Sequence, residues 1–383
     1  MDIVVYAEDL RTYTTGTPAR DMLRELMAVR AGDHFHLVVR RPTDRETWWR
    51  EYLARLPGDR WSVAVEPRER RTVNLLALAG LRDANAVRRR ADVFLRFGPG
   101  ILGSHDRPLI GLIADLSSVR TPAACSLPWH GRRLARRQLP WMAHVASAIV
   151  AISNFTRRDL VDWDPTFRER TTVVHNGIGE AWLRRAAAEP PAAPPAAPGY
   201  WVWYGQITPR KNLPRLLEAY ARLVRVPTLQ AGLPRLRLVA VPPDAIVTRV
   251  RQLNLADRVT FEAPLPVQDL VDLVAGSRGL VFPSLYEGFG MPVVEAMACG
   301  VPVLTSDRTA MPEVAGGLAS LCDPESVGSI ANGMRGLLSP AQIEPDAIAA
   351  RRAWASRFTA RRAACAYSAL IDRVAGGSGR VEH

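Results

Sequence analysis

Two carboxylates, Glu287 and Glu295, stand in the stretch "EGFGMPVVE" with nothing ionisable between them and with glycines at 288 and 290. The stretch reads as a turn followed by a helix that starts near Met291 and stops at Gly300. Gly288 and Gly290 permit a tight bend and close backbone approach, and Pro292 suits a first helical turn, where few N–H groups have partners within the helix. Such a helix start offers free N–H groups and the positive end of its dipole to an anion. An acid repels phosphate, so both carboxylates are expected to accept hydrogen bonds from hydroxyls of a ribose or another sugar. A plainer role for Glu295, offsetting the helix dipole for roughly 0.3–1 kcal/mol, leaves Glu287 and its glycines unexplained. Arg210 and Lys211 sit in an earlier strand-to-helix loop, behind Gly205 and Gln206. Two adjacent cations there suit either a solvated loop or the phosphates of the same ligand.

The elements that must position these residues alternate along the whole chain. Short apolar runs at 2–6, 34–40, 61–66, 91–97, 108–114 and 148–153 predict strands separated by helix-length segments. A Pro/Ala stretch at 186–199, "AAAEPPAAPPAAPG", can neither pack a core nor hold a helix and is expected to link two domains. Strand-like runs resume at 200–205, 236–241, 258–262, 279–283, 301–305 and 319–322. The fold class expected is therefore α/β, with two Rossmann-like doubly wound sheets and a ligand site in the cleft between them, at the carboxyl ends of the strands. The domains are expected at 1–185 (N-terminal), 200–355 (C-terminal) and 356–383, the last a helix that packs back on the first domain. In "RKNLPRLLEAYARLV" the residues Leu213, Leu216, Leu217, Tyr220, Leu223 and Val224 form a stripe of period 3.6, a core-facing helix with Asn212 as its expected N-cap.

The chain has 383 residues and a formal net charge of +12, which favours anionic partners. No zinc-finger, RRM or KH pattern accompanies that charge, so nucleic acid is not expected as a partner. The four cysteines lack the spacing of a zinc site or a disulfide framework. The N-terminus "MDIVVYAEDL" has no signal-peptide pattern and no apolar run reaches 18 residues, so a cytoplasmic protein is expected, soluble or peripheral at the inner membrane face.

"PSLYEGFGMPVVEAMACGVPVLTSD" followed by "MPEVAGG" resembles the E-x7-E region of retaining family 4 glycosyltransferases, which have the GT-B fold. In the same order as in that family come "AISNFTRRDL", "VVHNGI", "YGQITPRKNL" and, after the last strand, "DPES". The resemblance spans about Asp2 to Pro324 and is strongest in the C-terminal half. It implies a metal-independent retaining hexosyltransferase that uses a GDP- or UDP-sugar, mannose slightly favoured, with no cofactor. The acceptor stays open between a glycan, a lipid-linked glycan and a small molecule. It implies that Glu295 accepts the donor's ribose hydroxyls, that Glu287 contacts the transferred sugar, that Arg210 and Lys211 clamp the diphosphate, and that Gly288, Phe289, Gly290, Met291 and Pro292 line it. Gly205, Gln206 and Gly16, the last in an N-terminal glycine loop, join the donor-binding set.

Two positions depart from the family pattern. Gln206 stands where an arginine is frequent, and Ala114-Asp115 stands where His-Asp is frequent, which leaves Asp115 among the catalytic candidates and removes a histidine from the sugar. His105-Asp106 lies at the wrong end of its strand to replace that pair, and His130 lies in the loop that follows. These departures keep a second reading open, a non-catalytic nucleotide-sugar-binding protein on the same fold. The Asp162/Asp164 pair reads as surface charge. The segment 130–146 interleaves Arg132, Arg133, Arg136 and Arg137 with Leu134, Leu139, Trp141 and Met142, a pattern for a helix on an anionic membrane and equally for a solvated basic face.

Overall fold

A computed structural model of the chain describes residues 1–7, 10, 13–40, 47–66, 91–98, 107–121, 137, 139–142, 144–188 and 199–377. The chain divides into two units, one of Met1–Val119, Leu127–Gly179 and Thr359–His383, the other of Arg120–Ser126 and Glu180–Phe358. In chain order the first unit holds β1 (Asp2–Tyr6), α1 (Tyr13–Val29), β2 (His34–Arg40), α2 (Thr47–Leu53), β3 (Trp61–Glu66), β4 (Val93–Arg96), β5 (Leu109–Ile113), α3 (Ser117–Arg120), β6 (Ala148–Ala151), α4 (Asn154–Trp163) and β7 (Thr171–Val173). The second holds α5 (Glu180–Ala187), β8 (Tyr200–Tyr204), α6 (Leu213–Val224), β9 (Arg235–Val239), α7 (Asp244–Gln252), β10 (Val259–Glu262) and α8 (Val267–Ala275). It continues with β11 (Gly279–Phe282), α9 (Met291–Ala298), β12 (Val303–Ser306), α10 (Met311–Ala315), β13 (Ser320–Cys322), α11 (Val327–Gly336) and α12 (Pro345–Ala355). A last helix, α13 (Ala360–Gly377), belongs to the first unit.

Among the described residues every strand pairing is parallel. The sheet orders are β3-β2-β1-β4-β5-β6-β7 and β10-β9-β8-β11-β12-β13, so each follows the doubly wound order in which chain direction across the sheet reverses once. The reversal falls between β1 and β4 in the first sheet and between β8 and β11 in the second. A parallel sheet covered on both faces needs apolar residues on both sides of each strand. Strands β4, β5, β6, β11 and β12 are accordingly buried at every position. In β8, Trp201 and Trp203 are both fully buried, and Trp201 meets Tyr220 of α6 edge-on at 6.2 Å.

The helix predicted over 213–224 buries Leu213, Leu216, Leu217, Tyr220 and Leu223. Helix α5 carries its buried Ala181 and Trp182 to the second unit, where it packs on α8, α9 and α12. The main segment of the second unit therefore begins at Glu180, ahead of the Pro/Ala stretch, because an amphipathic helix goes where its apolar face is covered. Of that stretch, 189–198 lies outside the described residues. In the first unit α13 lies on α1, fastened by the Arg30 guanidinium, which donates to Ser368 Oγ at 3.0 Å and to Asp372 at 2.8 Å.

The membrane-helix reading of 130–146 is corrected for the residues that can be placed. Leu139 and Met142 are buried in the core of the first unit, and the Met142 thioether lies directly beside Gly111 of β5. An apolar side chain that fills its own core is not available to lipid, and only Arg137 of the four arginines is described, exposed. Arg132, Arg133, Leu134 and Arg136, together with His105, Asp106 and His130, lie outside the described residues.

Candidate functional site

At the end of β8 the chain turns at Gly205, whose φ of 133° is closed to most side chains. A single 3-10 turn, Pro209–Lys211, follows and leads to Asn212 at the head of α6. Asn212 adopts a left-handed conformation (φ 60°) and makes no side-chain cap. Its amide instead donates to the carbonyls of Pro283, at 3.0 Å, and Pro324, at 2.6 Å. The Arg210 carbonyl in turn accepts from Leu285 N at 2.7 Å and Ser284 Oγ at 2.9 Å. The loop after β8 is thus sewn to the loop after β11. These are the neighbouring strands at which the second sheet reverses, so the joined loops form the crevice that doubly wound sheets use for ligands.

Glu287 lies at the centre of this layer and is buried. Its Oε2 accepts from Arg210 Nη1 at 2.8 Å, and its Oε1 from Lys211 Nζ at 2.6 Å and Ser284 Oγ at 2.7 Å. Burial alone would raise this carboxyl, but Lys211 and Arg210 outweigh burial and bring it down to about 2. The main chain of Glu287 is held as well, its N–H donating to Thr309 Oγ1 at 3.3 Å and its carbonyl accepting from Ala310 N at 3.3 Å. Thr309 takes a φ of 62° to do this, a strained conformation for a β-branched residue and one found where a site is held against local preference. Lys211 is itself buried and sits 4.6 Å above the ring of Phe282.

Helix α9 starts at Met291, with Gly290 as its N-cap at a φ of 97° and without a side-chain cap. A Cβ at Gly290 would meet the Met311 thioether, and its φ of 97° itself disfavours any other residue at this turn. The first-turn N–H groups of α9 are left without a capping side chain, as an anion site requires. Glu295 lies one turn further on. Tyr204, the last residue of β8, donates to Glu295 Oε2 at 2.9 Å and is 3.2 Å from the Pro292 carbonyl. The Tyr204 ring stacks on Trp182 of α5, 6.4 Å between centroids and 9° between planes. Glu295 keeps part of its side chain open to solvent, yet desolvation of its carboxyl dominates over the lowering effects of Tyr204 and Lys211 and pushes it up to about 7. At the far end of α9 the guanidiniums of Arg351 and Arg352 meet the carbonyls of Gly300, at 3.0 Å, and Cys299, at 3.5 Å, and hold the helix against α12.

The structure therefore gathers Gly205, Arg210, Lys211, Glu287, Gly288, Phe289, Gly290, Met291, Pro292 and Glu295 in one unit, with Gln206 exposed beside them. It places the two acids in different surroundings. Both oxygens of Glu287 accept from cations or a serine, whereas among the described residues the Glu295 carboxylate accepts from Tyr204 through Oε2. Asp115 is also engaged, since its Oδ1 accepts from Ser117 N at 2.9 Å and caps α3. Gly16, expected in a loop, falls in the first turn of α1, a place where glycine costs little because those N–H groups need no partner within the helix. Asp164 caps the turn Pro165–Phe167. Ala114 lines a cavity of about 20 Å³ in the first unit together with His175, Asn176 and Tyr367. Sequence reasoning missed Tyr204 altogether. Its position immediately before Gly205 was the available signal, since the last side chain of a switch-point strand points at the ligand crevice or at what lines it.

Comparison with known proteins agrees with this geometry. Residues 190–353 match the family model described as glycosyl transferases group 1. The O-antigen chain mannosyltransferase B of Escherichia coli is 31% identical over 196 residues, which are 48% of this chain and 50% of that protein. The D-inositol 3-phosphate glycosyltransferase of Mycolicibacterium smegmatis is 32% identical over 192 residues, 49% of this chain and 44% of that one. The chain thus spans about half the length of the curated relatives it matches. Among solved structures, Anabaena HepE in complex with UDP and glucose superposes with a TM-score of 0.68 at 17% identity, covering 97% of this chain and all of that one. A glycosyltransferase from Rickettsia africae gives the same TM-score at 11% identity, covering 97% and 98%. The fold is GT-B, an α/β fold of two Rossmann-like units.

Proposed function

We propose that the protein is a retaining glycosyltransferase that moves a hexosyl group, mannosyl being the first to test, from a nucleotide-diphosphate sugar to an acceptor hydroxyl. The observation that supports this most directly is the buried Glu287, which locks Arg210 and Lys211 beside the uncapped start of the helix that carries Glu295. Two cations and one ionised acid leave a net positive charge there, and the N-terminus of α9 adds its own partial charge. In transfer from a nucleotide sugar, negative charge grows on the departing diphosphate while the anomeric carbon becomes cationic. A charge already fixed at the diphosphate stabilises that state more than the ground state, and needs no reorganisation at the moment of reaction. Arg210 and Lys211 supply it without a metal ion. Glu295 receives the ribose hydroxyls, with Gly205, Gln206 and the 288–292 segment around the nucleotide sugar. The similarity of residues 190–353 to glycosyl transferases group 1 supports the same reading.

The test is a panel of GDP- and UDP-sugars read by thermal shift, since a ligand that binds only the folded protein raises its stability. One class of nucleotide sugar is expected to stand out, and Glu295→Ala is expected to weaken its binding while sparing inorganic pyrophosphate, which has no ribose. Loss of a hydrogen bond to a charged group costs roughly 1.5–3 kcal/mol. Equal loss for both ligands would remove the ribose role. Turnover with the donor so identified, and the anomeric configuration of the product by NMR, decide enzyme against binder and retention against inversion. Tight donor binding without turnover would leave a nucleotide-sugar-binding protein, the reading that Ala114 favours.

A further inference from the structure

We propose that Tyr204 is the positioning residue of the donor site: its hydroxyl holds one oxygen of Glu295 and turns the other toward the ligand. The inference rests on the nucleotide-sugar reading for the ligand, and on geometry of the second unit for the residue. Tyr204 comes from the end of β8, Glu295 from one turn into α9, and the hydrogen bond between them, 2.9 Å, is the one that reaches the Glu295 carboxylate among the described residues. A free carboxyl on a helix can turn about its last two bonds. With Oε2 held from below by a phenol whose ring is itself stacked on Trp182, that freedom is lost. The same hydroxyl lies 3.2 Å from the Pro292 carbonyl, so one group touches both the acid expected to meet the ribose and the helix turn expected to meet the phosphates.

The arrangement couples ligand binding to a proton. A carboxylate that accepts a hydroxyl must be ionised, and Glu295 sits where desolvation opposes ionisation and pushes it up to about 7. Among the described residues, Tyr204 from β8 and Lys211 from the turn ahead of α6 act on it, and both favour the ionised form. Cys299, one turn further along α9 with Arg185, Arg352 and Asp272 around it, is pushed up to about 12 by burial and stays a thiol. Glu287, held near 2, stays ionised throughout the neutral range and does not add to the titration. Tyr204 thus fixes the direction of the carboxylate and, against desolvation, lowers the pH at which it becomes an acceptor. Removing its hydroxyl leaves the ring, the stack on Trp182 and the fold in place.

The experiment is calorimetric titration of UDP and of GDP into the native protein, Tyr204→Phe and Glu295→Gln between pH 5.5 and 9, with inorganic pyrophosphate as control. Native affinity is expected to rise through pH 7 and then level off, whereas Glu295→Gln stays weak and records only the titration of the nucleotide's own phosphates. Tyr204→Phe is expected to bind roughly tenfold more weakly at pH 7, with its midpoint moved upward, to recover only part of that loss by pH 9, and to bind pyrophosphate as before. A Tyr204→Phe curve parallel to the native one, or coincident with it, would overturn the proposal, because loss of packing alone weakens binding equally at every pH. If neither nucleotide binds the native protein, the donor reading fails. The carboxyl resonance of Glu295, titrated by NMR in ligand-free native and Tyr204→Phe protein, then decides the positioning role by itself: an upward move of its midpoint sustains it, and no move refutes it.

Discussion

Replacing Glu295 by glutamine should make the ligand-free protein more stable, and only above a certain pH. The folded carboxyl titrates at about 7 against an ordinary value of 4.5. A group raised in the folded state contributes fully below its unfolded value and loses that contribution as pH climbs through the folded one. Below pH 4.5 both states are protonated and the carboxyl is neutral in each. Between 4.5 and 7 the unfolded chain has given up its proton and the fold has not, so native stability falls by about 1.4 kcal/mol per pH unit, and above 7 it is level. The full difference is on the order of 3 kcal/mol, and the solvent that reaches part of Glu295 lowers the expectation to about 1–3 kcal/mol. Glutamine keeps the shape and still accepts the Tyr204 hydroxyl, so nothing else changes. Urea unfolding followed by tryptophan fluorescence suits the question, because Trp201 and Trp203 are buried in the strand that ends at Tyr204. The variant should match the native protein near pH 4.5, exceed it progressively to pH 7.5, and hold the excess to pH 9. A stability difference independent of pH, or a native protein that is the more stable at pH 8, would refute the desolvation argument. The same substitution should cost nucleotide-sugar affinity, so the acid is kept at the expense of the fold.

Glu287 should show the opposite sign. Held at about 2, it contributes stability above pH 4.5 that disappears as pH falls toward 2, and Glu287→Gln, which lacks that component, should flatten the acid limb of the native profile by roughly 2–3 kcal/mol in urea titrations between pH 2 and 5. Lys211→Ala should lower transfer by roughly 100- to 1,000-fold in steady-state assays with the matched donor, as loss of a fixed charge at a developing anion does. Ala114→His, by contrast, should change the rate by no more than about tenfold, since it adds one neutral contact; restoration of an otherwise absent turnover by this variant would refute the enzyme reading of the native chain. Gly290→Ala should destabilise the fold by roughly 1–3 kcal/mol and weaken pyrophosphate binding together, because the new Cβ meets Met311 and the φ of 97° is strained for alanine. A fully stable Gly290→Ala protein would show that α10 yields there.

The sheet strands were legible because buried parallel strands announce themselves as short continuous apolar runs. "HFHLVVR" and "WSVAVE" are β2 and β3 residue for residue. β7 escaped notice, since "TTV" is three residues long, lies at a sheet edge and is only partly buried, and so carries no run. The same local logic revealed the turn at Gly290, the helix at 291–298 and the cations at 210–211, because each depends on neighbours in the chain. It failed wherever a side chain had to choose a distant partner. Asn212 had a cap within reach in its own helix and took the carbonyls of Pro283 and Pro324. Leu139 and Met142 took the core in place of a surface. Glu287 and Glu295 look equivalent as letters, two acids around a glycine turn. One lies beside Lys211 and Arg210 and is driven down to about 2, while the other meets a single phenol in a desolvated place and is driven up to about 7. Sequence by itself determined that two α/β units would form and placed a glycine turn with two acids, and separately two cations, in loops after strands. Only the tertiary structure decided which acid holds the cations and which meets a tyrosine, because charge and desolvation act through space and owe nothing to distance along the chain.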